Sequence, residues 1–413
     1  MSELGDRVLP LIRTRTDLSR YRAANAHGVQ MHEAVDVLER AAETADPAEV
    51  LSVTEKAIAS ALRVVMRADD SAGIIGDTCR RLVDLHPVVA TTASVPSERL
   101  VEWMIRFQFA QECDFFTLDP VAYASALGEL GMRRYRARLD EIRAGLGAEP
   151  GAGDSWQSPH AGEWFTLAWN AQRLAVHDRD AEAVIRTHLR DGGVPAWYHE
   201  TAEALEEIGD HALALDYVQQ AVEHPMGGHQ AIQAAEYWCE LLARHAPQGL
   251  PAARLEVFRR WPSSSTAARL RAVAGEEWAA LEGAVMERLS ASPRDAVLFV
   301  LLTLEDVRRA RDLAEQLLLD DADAWERLAR AYERIDPLAV LPVLARLVDT
   351  ELETPDAQHY RTAARRLARM RRLAAGTERA GEVDDVIRAV RHEHRRRPRL
   401  QLELDRAGLP RSD

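Results

Sequence analysis

Residues 196–225, AWYHETAEALEEIGDHALALDYVQQAVEHP, constrain the fold more than any other stretch of the chain. Tyr198, Thr201, Ala202 and Leu205 recur at helical spacing before Gly209-Asp210 interrupts them. Ala214, Val218 and Ala221 resume the spacing until Pro225 stops it. The pattern predicts two helices joined by a tight turn. Small residues at Ala202, Ala214 and Ala221 let the two helices approach closely.

The same arrangement recurs in two groups, at intervals of 34 or 35 positions within each. Trp164, Leu167 and Ala168 stand in the relation of Tyr198, Thr201 and Ala202, and Trp164 precedes Tyr198 by 34 positions. Another 34 positions reach Ile232, which opens the apolar face Ile232, Ala235 and Cys239. Further on, Trp325, Leu328, Ala329 and Tyr332 repeat the first-helix pattern, and Tyr360, Ala363, Ala364 and Leu367 follow 35 positions after Trp325. In period and first-helix pattern the chain resembles the tetratricopeptide repeat, whose helical hairpins stack into an array. Residues 250–319 read as helical but poorly phased, with Pro251, Pro262 and Pro293 at helix starts or breaks. The C-terminal segment reads as capping helices, with a helix through Arg397 and a short one after Pro398.

Upstream, helix-type periodicity continues without strand-type alternation. Residues 1–28 read as a polar, Arg-rich arm with a short apolar patch at residues 9–12 and a brief helix from Asp17 ending near Gly28, the arm packing on the first helices. Helices follow from Met31, from Asp46-Pro47, from Asp77, from Pro96 and from Asp119-Pro120, with a short turn at residues 128–131. Residues 145–160, GLGAEPGAGDSWQSPH, are rich in Gly, Pro and Ser and mark either an ordered loop or a hinge. The expected fold class is all-α. A helical N-terminal domain spans residues 1–145, a linker or ordered loop 146–160, and a tetratricopeptide-like α-solenoid of helical hairpins 161–413.

Two segments, MRADDSAGIIGDTCRRLVDLH and WMIRFQFAQECDFFTLDPVAYASALGELG, together with the tail RRLARMRRLAAG…VIRAVRHEHRRRPRLQLELDRAGL, carry a second resemblance. They are similar to the helical region of actinobacterial proteins whose longer relatives contain a SWIM zinc finger. That finger requires a CxC pair followed by Cys-x-His. Neither is present, so the resemblance implies a helical protein without zinc and without zinc-linked nucleic-acid binding.

Composition narrows the function classes. The formal net charge is −14, which argues against general nucleic-acid binding and suits a cytoplasmic protein. Cys79, Cys113 and Cys239 are far apart, which excludes a disulfide framework and fits reduced thiols. The longest apolar run, residues 297–304, is too short for a membrane span, and the N-terminus has no apolar signal core. No GxSxG, HExxH, GxGxxG or P-loop occurs, and no cofactor or metal is expected. Asp69-Asp70-Ser71 beside Gly73 and Gly76 reads as a capped interhelical turn. The run Asp114-Phe115-Phe116-Thr117-Leu118-Asp119 reads as packing before a helix start, and His224 and His229 lack a third ligand for a metal.

These observations point to a non-enzymatic interaction or scaffold protein that binds a protein or peptide along a helical-repeat groove. Candidate contacts on the first helices are Trp164, Arg173, His199, Glu203, Glu206 and Arg327. The alternative is nucleic-acid binding. Residues 360–411 hold 15 Arg against 7 acidic residues, and Arg395, Arg396, Arg397 and Arg399 are the candidate anion contacts. That tail lacks interleaved aromatics for base stacking. An enzyme of unfamiliar type is a further alternative, and self-association through the array ends stays open.

Overall fold

In the computed structural model the described residues are 2–110, 116–150 and 159–410. They form helices and connecting turns, with no strand among them. The chain divides into two compact units, Met1–Ala235 and Glu236–Asp413. No helix among the described residues is long and apolar enough to cross a membrane.

The first unit begins with α1 (Glu3–Ile12), α2 (Tyr21–Thr44), α3 (Pro47–Val65), α4 (Ile74–Thr92), α5 (Ser97–Phe109) and α6 (Ala124–Leu146). It continues with α7 (Ala161–Asp178), α8 (Ala181–Leu189), α9 (Pro195–Glu207) and α10 (His211–Glu223). The boundary between the units falls within α11 (Gly228–His245).

Local chemistry sets these ends. Asp46 accepts a hydrogen bond from the Glu49 amide, and Pro47 occupies the first turn of α3, where no amide partner is lost. Asp70 accepts from the amides of Ile75 and Gly76, so the Asp69–Asp77 stretch is a capped turn leading into α4. Gly209, at φ 87°, closes the turn between α9 and α10, and Asp210 caps α10 through the Leu213 amide. Thr201, Ala202, Leu205, Ala214, Val218 and Ala221 are all buried as this hairpin packs.

The N-terminal reading needs correction. The segment 1–28 does pack on the first helices, but it is itself helical: α1 buries Val8, Leu9 and Ile12 against α2 and α3, and α2 runs straight through Gly28 instead of ending there. Helix α6 bends where Gly128 leaves helical geometry (φ 59°, ψ −178°), and the helix resumes at once rather than after a four-residue turn. Trp164, Leu167 and Leu174 of α7 belong to the same buried cluster as the core of α1 to α6. Residues 111–115 and 151–158, which include Cys113, Asp114, Phe115 and most of the Gly/Pro/Ser-rich stretch, lie outside the described residues.

The second unit holds α12 (Leu250–Arg260), α13 (Ser264–Ala274), α14 (Trp278–Leu289), α15 (Pro293–Leu302), α16 (Val307–Gln316) and α17 (Ala322–Tyr332). Then come α18 (Leu341–Glu353), α19 (Ala357–Ala374), α20 (Ala380–Glu393) and α21 (Pro398–Arg406). Consecutive helices from α15 to α20 pack on one another, and α19 also meets α21. Asp321 caps α17 through the Ala324 amide, and Asp356 caps α19 through the amides of Gln358 and His359.

Candidate functional site

The apolar periodicity of α17 and α19 fixes what each leaves exposed. In α17, Ala324, Trp325, Leu328 and Ala329 are buried, and the Trp325 indole donates to the Leu319 carbonyl at 2.7 Å. Glu326 and Arg330 therefore fall on the opposite side, at i and i+4, and Glu333 and Arg334 follow in the turn just past the end of α17. In α19, Tyr360, Ala363, Ala364, Leu367 and Met370 are buried. Thr362, Arg365, Arg366 and Arg369 line the outer face. These two polar faces enclose a groove of about 470 Å³.

The floor of this groove is an ion-pair network. Glu326 lies 2.9 Å from Arg330 Nε, 3.1 Å from Arg366 Nε and 2.9 Å from Arg369 Nη1. Arg366 reaches on to Glu351 at 2.7 Å and to the Leu347 carbonyl at 3.0 Å. Arg369 Nε donates to Glu333 at 2.7 Å. The side chains of Arg366 and Arg369 are each 12% exposed. Burial alone would raise the Glu326 carboxyl, but the bond from Arg330 and the charges and bonds of Arg366 and Arg369 outweigh it and hold it below the usual carboxylate range.

The rim differs from the floor. Among the described residues Arg330 pairs with Glu326 alone, and it is 73% exposed. Arg365 is exposed and donates to the Arg361 carbonyl and the Thr362 hydroxyl. Arg334 is exposed and makes no ion pair among the described residues. Five arginines against two glutamates line the groove, so its surface carries excess positive charge on a chain of net charge −14. Guanidinium groups in this setting present paired N–H donors that match a carboxylate or phosphate.

The residues singled out from sequence are distributed elsewhere. Trp164 is in the core at 8% exposed. Arg173 is held between Asp119 and Glu207. His199 and Glu203 face each other along α9 at 3.7 Å, and Glu206 is half-buried on the same helix. Arg327 pairs with Asp323 at 3.0 Å and does not line the groove. Near the start of α21, Arg395 donates to the His392 carbonyl, Arg397 to the Leu352 carbonyl, and Arg399 pairs with Glu403, while Arg396 is exposed. Cys239 is buried, and burial pushes its thiol up to about 11, away from nucleophilic use at neutral pH.

A sequence signal for the groove does exist. Arg330 and Arg365 each lie five positions after their marker aromatics, Trp325 and Tyr360. Arg334 and Arg369 each lie nine positions after them. Comparing positions at equal distance from Trp325 and Tyr360, rather than counting charge along the tail, picks out these four residues.

No curated protein matches the sequence. The model of a family of unknown function, DUF6880, matches residues 3–399, and the chain belongs to that family.

Proposed function

We propose that the protein is a non-enzymatic interaction or scaffold protein, built of tetratricopeptide-like hairpins, that binds a partner protein along a face made by the first helices of its modules. The reading rests on the groove between α17 and α19, the two helices whose marker aromatics are 35 positions apart. Stacked repeats put equivalent side chains of neighbouring modules next to one another, which makes a continuous recognition surface. Arg173 and Glu207 support the repeat assignment. Both lie nine positions after a marker aromatic, Trp164 or Tyr198, and they form an ion pair at 2.7 Å. The resemblance to actinobacterial proteins with SWIM-bearing relatives belongs to the same reading and brings no zinc with it.

The test is affinity capture of the full chain from its native lysate, with quantitative mass spectrometry, in parallel with the charge-reversal variant Arg334→Glu/Arg365→Glu. The reading expects proteins enriched reproducibly by the parent and lost with the variant. Identical enrichment profiles for the two would sink it.

A further inference from the structure

We propose that the groove between α17 and α19 takes a carboxylate-rich peptide segment of the partner protein, gripped by Arg330, Arg334 and Arg365 over a floor of Arg366 and Arg369. The proposal rests on the interaction reading above and names the chemistry of what that face binds.

Two features of the arginines carry it. The floor arginines are fixed before any ligand arrives, because Glu326, Glu333 and Glu351 hold them at 2.7–3.1 Å. Little side-chain freedom remains for those two to lose on binding. The rim arginines are the converse: exposed, and with guanidinium donors that the network leaves unfilled. Along α19, Arg361, Arg365 and Arg372 recur at i, i+4 and i+11, so the positive stripe continues past the groove along one face of the helix. An extended acidic segment can follow such a stripe, pairing alternate carboxylates with successive guanidinium forks.

The groove favours a peptide over a nucleic acid for two reasons. None of the residues lining it is aromatic, so no base finds a ring to stack on. Its volume of about 470 Å³ suits a few side chains rather than a duplex. The overall charge of −14 also opposes a polyanion arriving without local guidance, whereas a short acidic segment engages only the basic face.

Fluorescence anisotropy on the full chain tests the proposal. The probes are a labelled peptide of alternating Glu and Ser, its counterpart with Gln for Glu, and a labelled single-stranded oligonucleotide, with inorganic phosphate as competitor. The expected result is saturable binding of the acidic peptide, weakened at least tenfold by Arg334→Glu/Arg365→Glu and by a rise from 50 to 300 mM salt. Charge reversal at exposed Arg308, outside the groove, should change affinity less than twofold. Both variants should keep the parent's far-UV circular dichroism. If the double variant does not fold, Arg334→Ala and Arg365→Gln replace it, each expected to weaken binding at least threefold.

Binding of the Gln peptide as tightly as the Glu peptide overturns the proposal. So does displacement of the peptide by phosphate at stoichiometric concentrations, or tighter, groove-dependent binding of the oligonucleotide. If capture is lost with Arg334→Glu/Arg365→Glu while the acidic peptide shows no binding, this proposal falls and the interaction reading stands. If the acidic peptide binds but capture profiles are identical, the interaction reading falls.

Discussion

Arg173 and Glu207 are 34 residues apart in the chain and 2.7 Å apart in space. Both terminal nitrogens of the guanidinium donate to the Glu207 carboxylate, while Nε and Nη2 reach Asp119 at 3.0 and 2.8 Å. Hydrogen bonding to Glu207 drives the Arg173 pKa above its ordinary value; burial opposes, and Asp119 adds to the rise. One arginine thus joins α7, α9 and the segment before α6. Its side chain is 12% exposed, but Asp119 and Glu207 are 38% and 43% exposed, so solvent screens part of the interaction.

Removing that arginine leaves two carboxylates facing each other without their cation. Arg173→Ala is expected to cost about 1–3 kcal/mol, below the range for a wholly buried pair because both acids reach water. Arg173→Lys should recover less than half, because an ammonium cannot span both carboxylates with a planar fork. The urea midpoint of the full chain reads both effects. A midpoint for Arg173→Ala equal to the parent's, or full recovery by lysine, refutes the assignment.

His86 supplies a pH dependence. Its ring stacks on Trp103, with centroids 3.7 Å apart and planes 9° apart, and its Nδ1 lies 3.0 Å from the Tyr123 hydroxyl. Burial lowers its pKa from the ordinary imidazole value of 6.5, and Glu55, 3.9 Å from Nε2, opposes without reversing the shift. The folded protein therefore disfavours the imidazolium. Below pH 6.5 the unfolded chain binds a proton that the folded chain does not, so stability falls as pH falls. The contribution is complete above pH 6.5 and declines until the lowered folded value is reached. His188, lowered mainly by its own burial, adds to the same slope. Melting temperatures of the parent should drop between pH 7.5 and 5.5, and His86→Phe should flatten part of that drop. An unchanged slope in the variant would assign the dependence elsewhere.

What the sequence made legible was local. The α9–α10 hairpin was readable because Gly209 supplies a left-handed turn and the small residues on both sides repeat at helical spacing. Asp46-Pro47 signals a helix start by chemistry confined to three or four residues. The groove was harder. Glu326 and Arg366 are 40 residues apart, and an exposed arginine in α19 looks alike in sequence whether it faces bulk water or a carboxylate from α17. Positive charge is densest at Arg395, Arg396, Arg397 and Arg399, whereas Arg366 and Arg369, held in the multi-residue network with Glu326, lie upstream. The division at Ala235 and Glu236 falls inside a helix and so has no Gly or Pro punctuation to announce it.

Gly28 shows how a stop signal and a packing signal coincide. It reads as the end of a short helix, yet it sits inside α2, where the absence of a side chain lets α4 approach. A Cβ placed there would lie 2.5 Å from Ile74 Cγ2 and 3.1 Å from Cγ1. Gly28→Ala therefore gains about 1 kcal/mol of helix propensity against an overpacking cost of about 1–3 kcal/mol. The expected net result is a loss. Ile74→Ala removes both crowding atoms at the cost of its half-buried side chain, so the double variant should lose less than the sum of the two singles. Urea midpoints of parent, singles and double give the coupling directly, expected at about 0.5 kcal/mol or more in the rescuing direction. A Gly28→Ala protein as stable as the parent, or strictly additive losses, would mean that the two helices adjust around the methyl group and that Ile74 is not what requires the glycine.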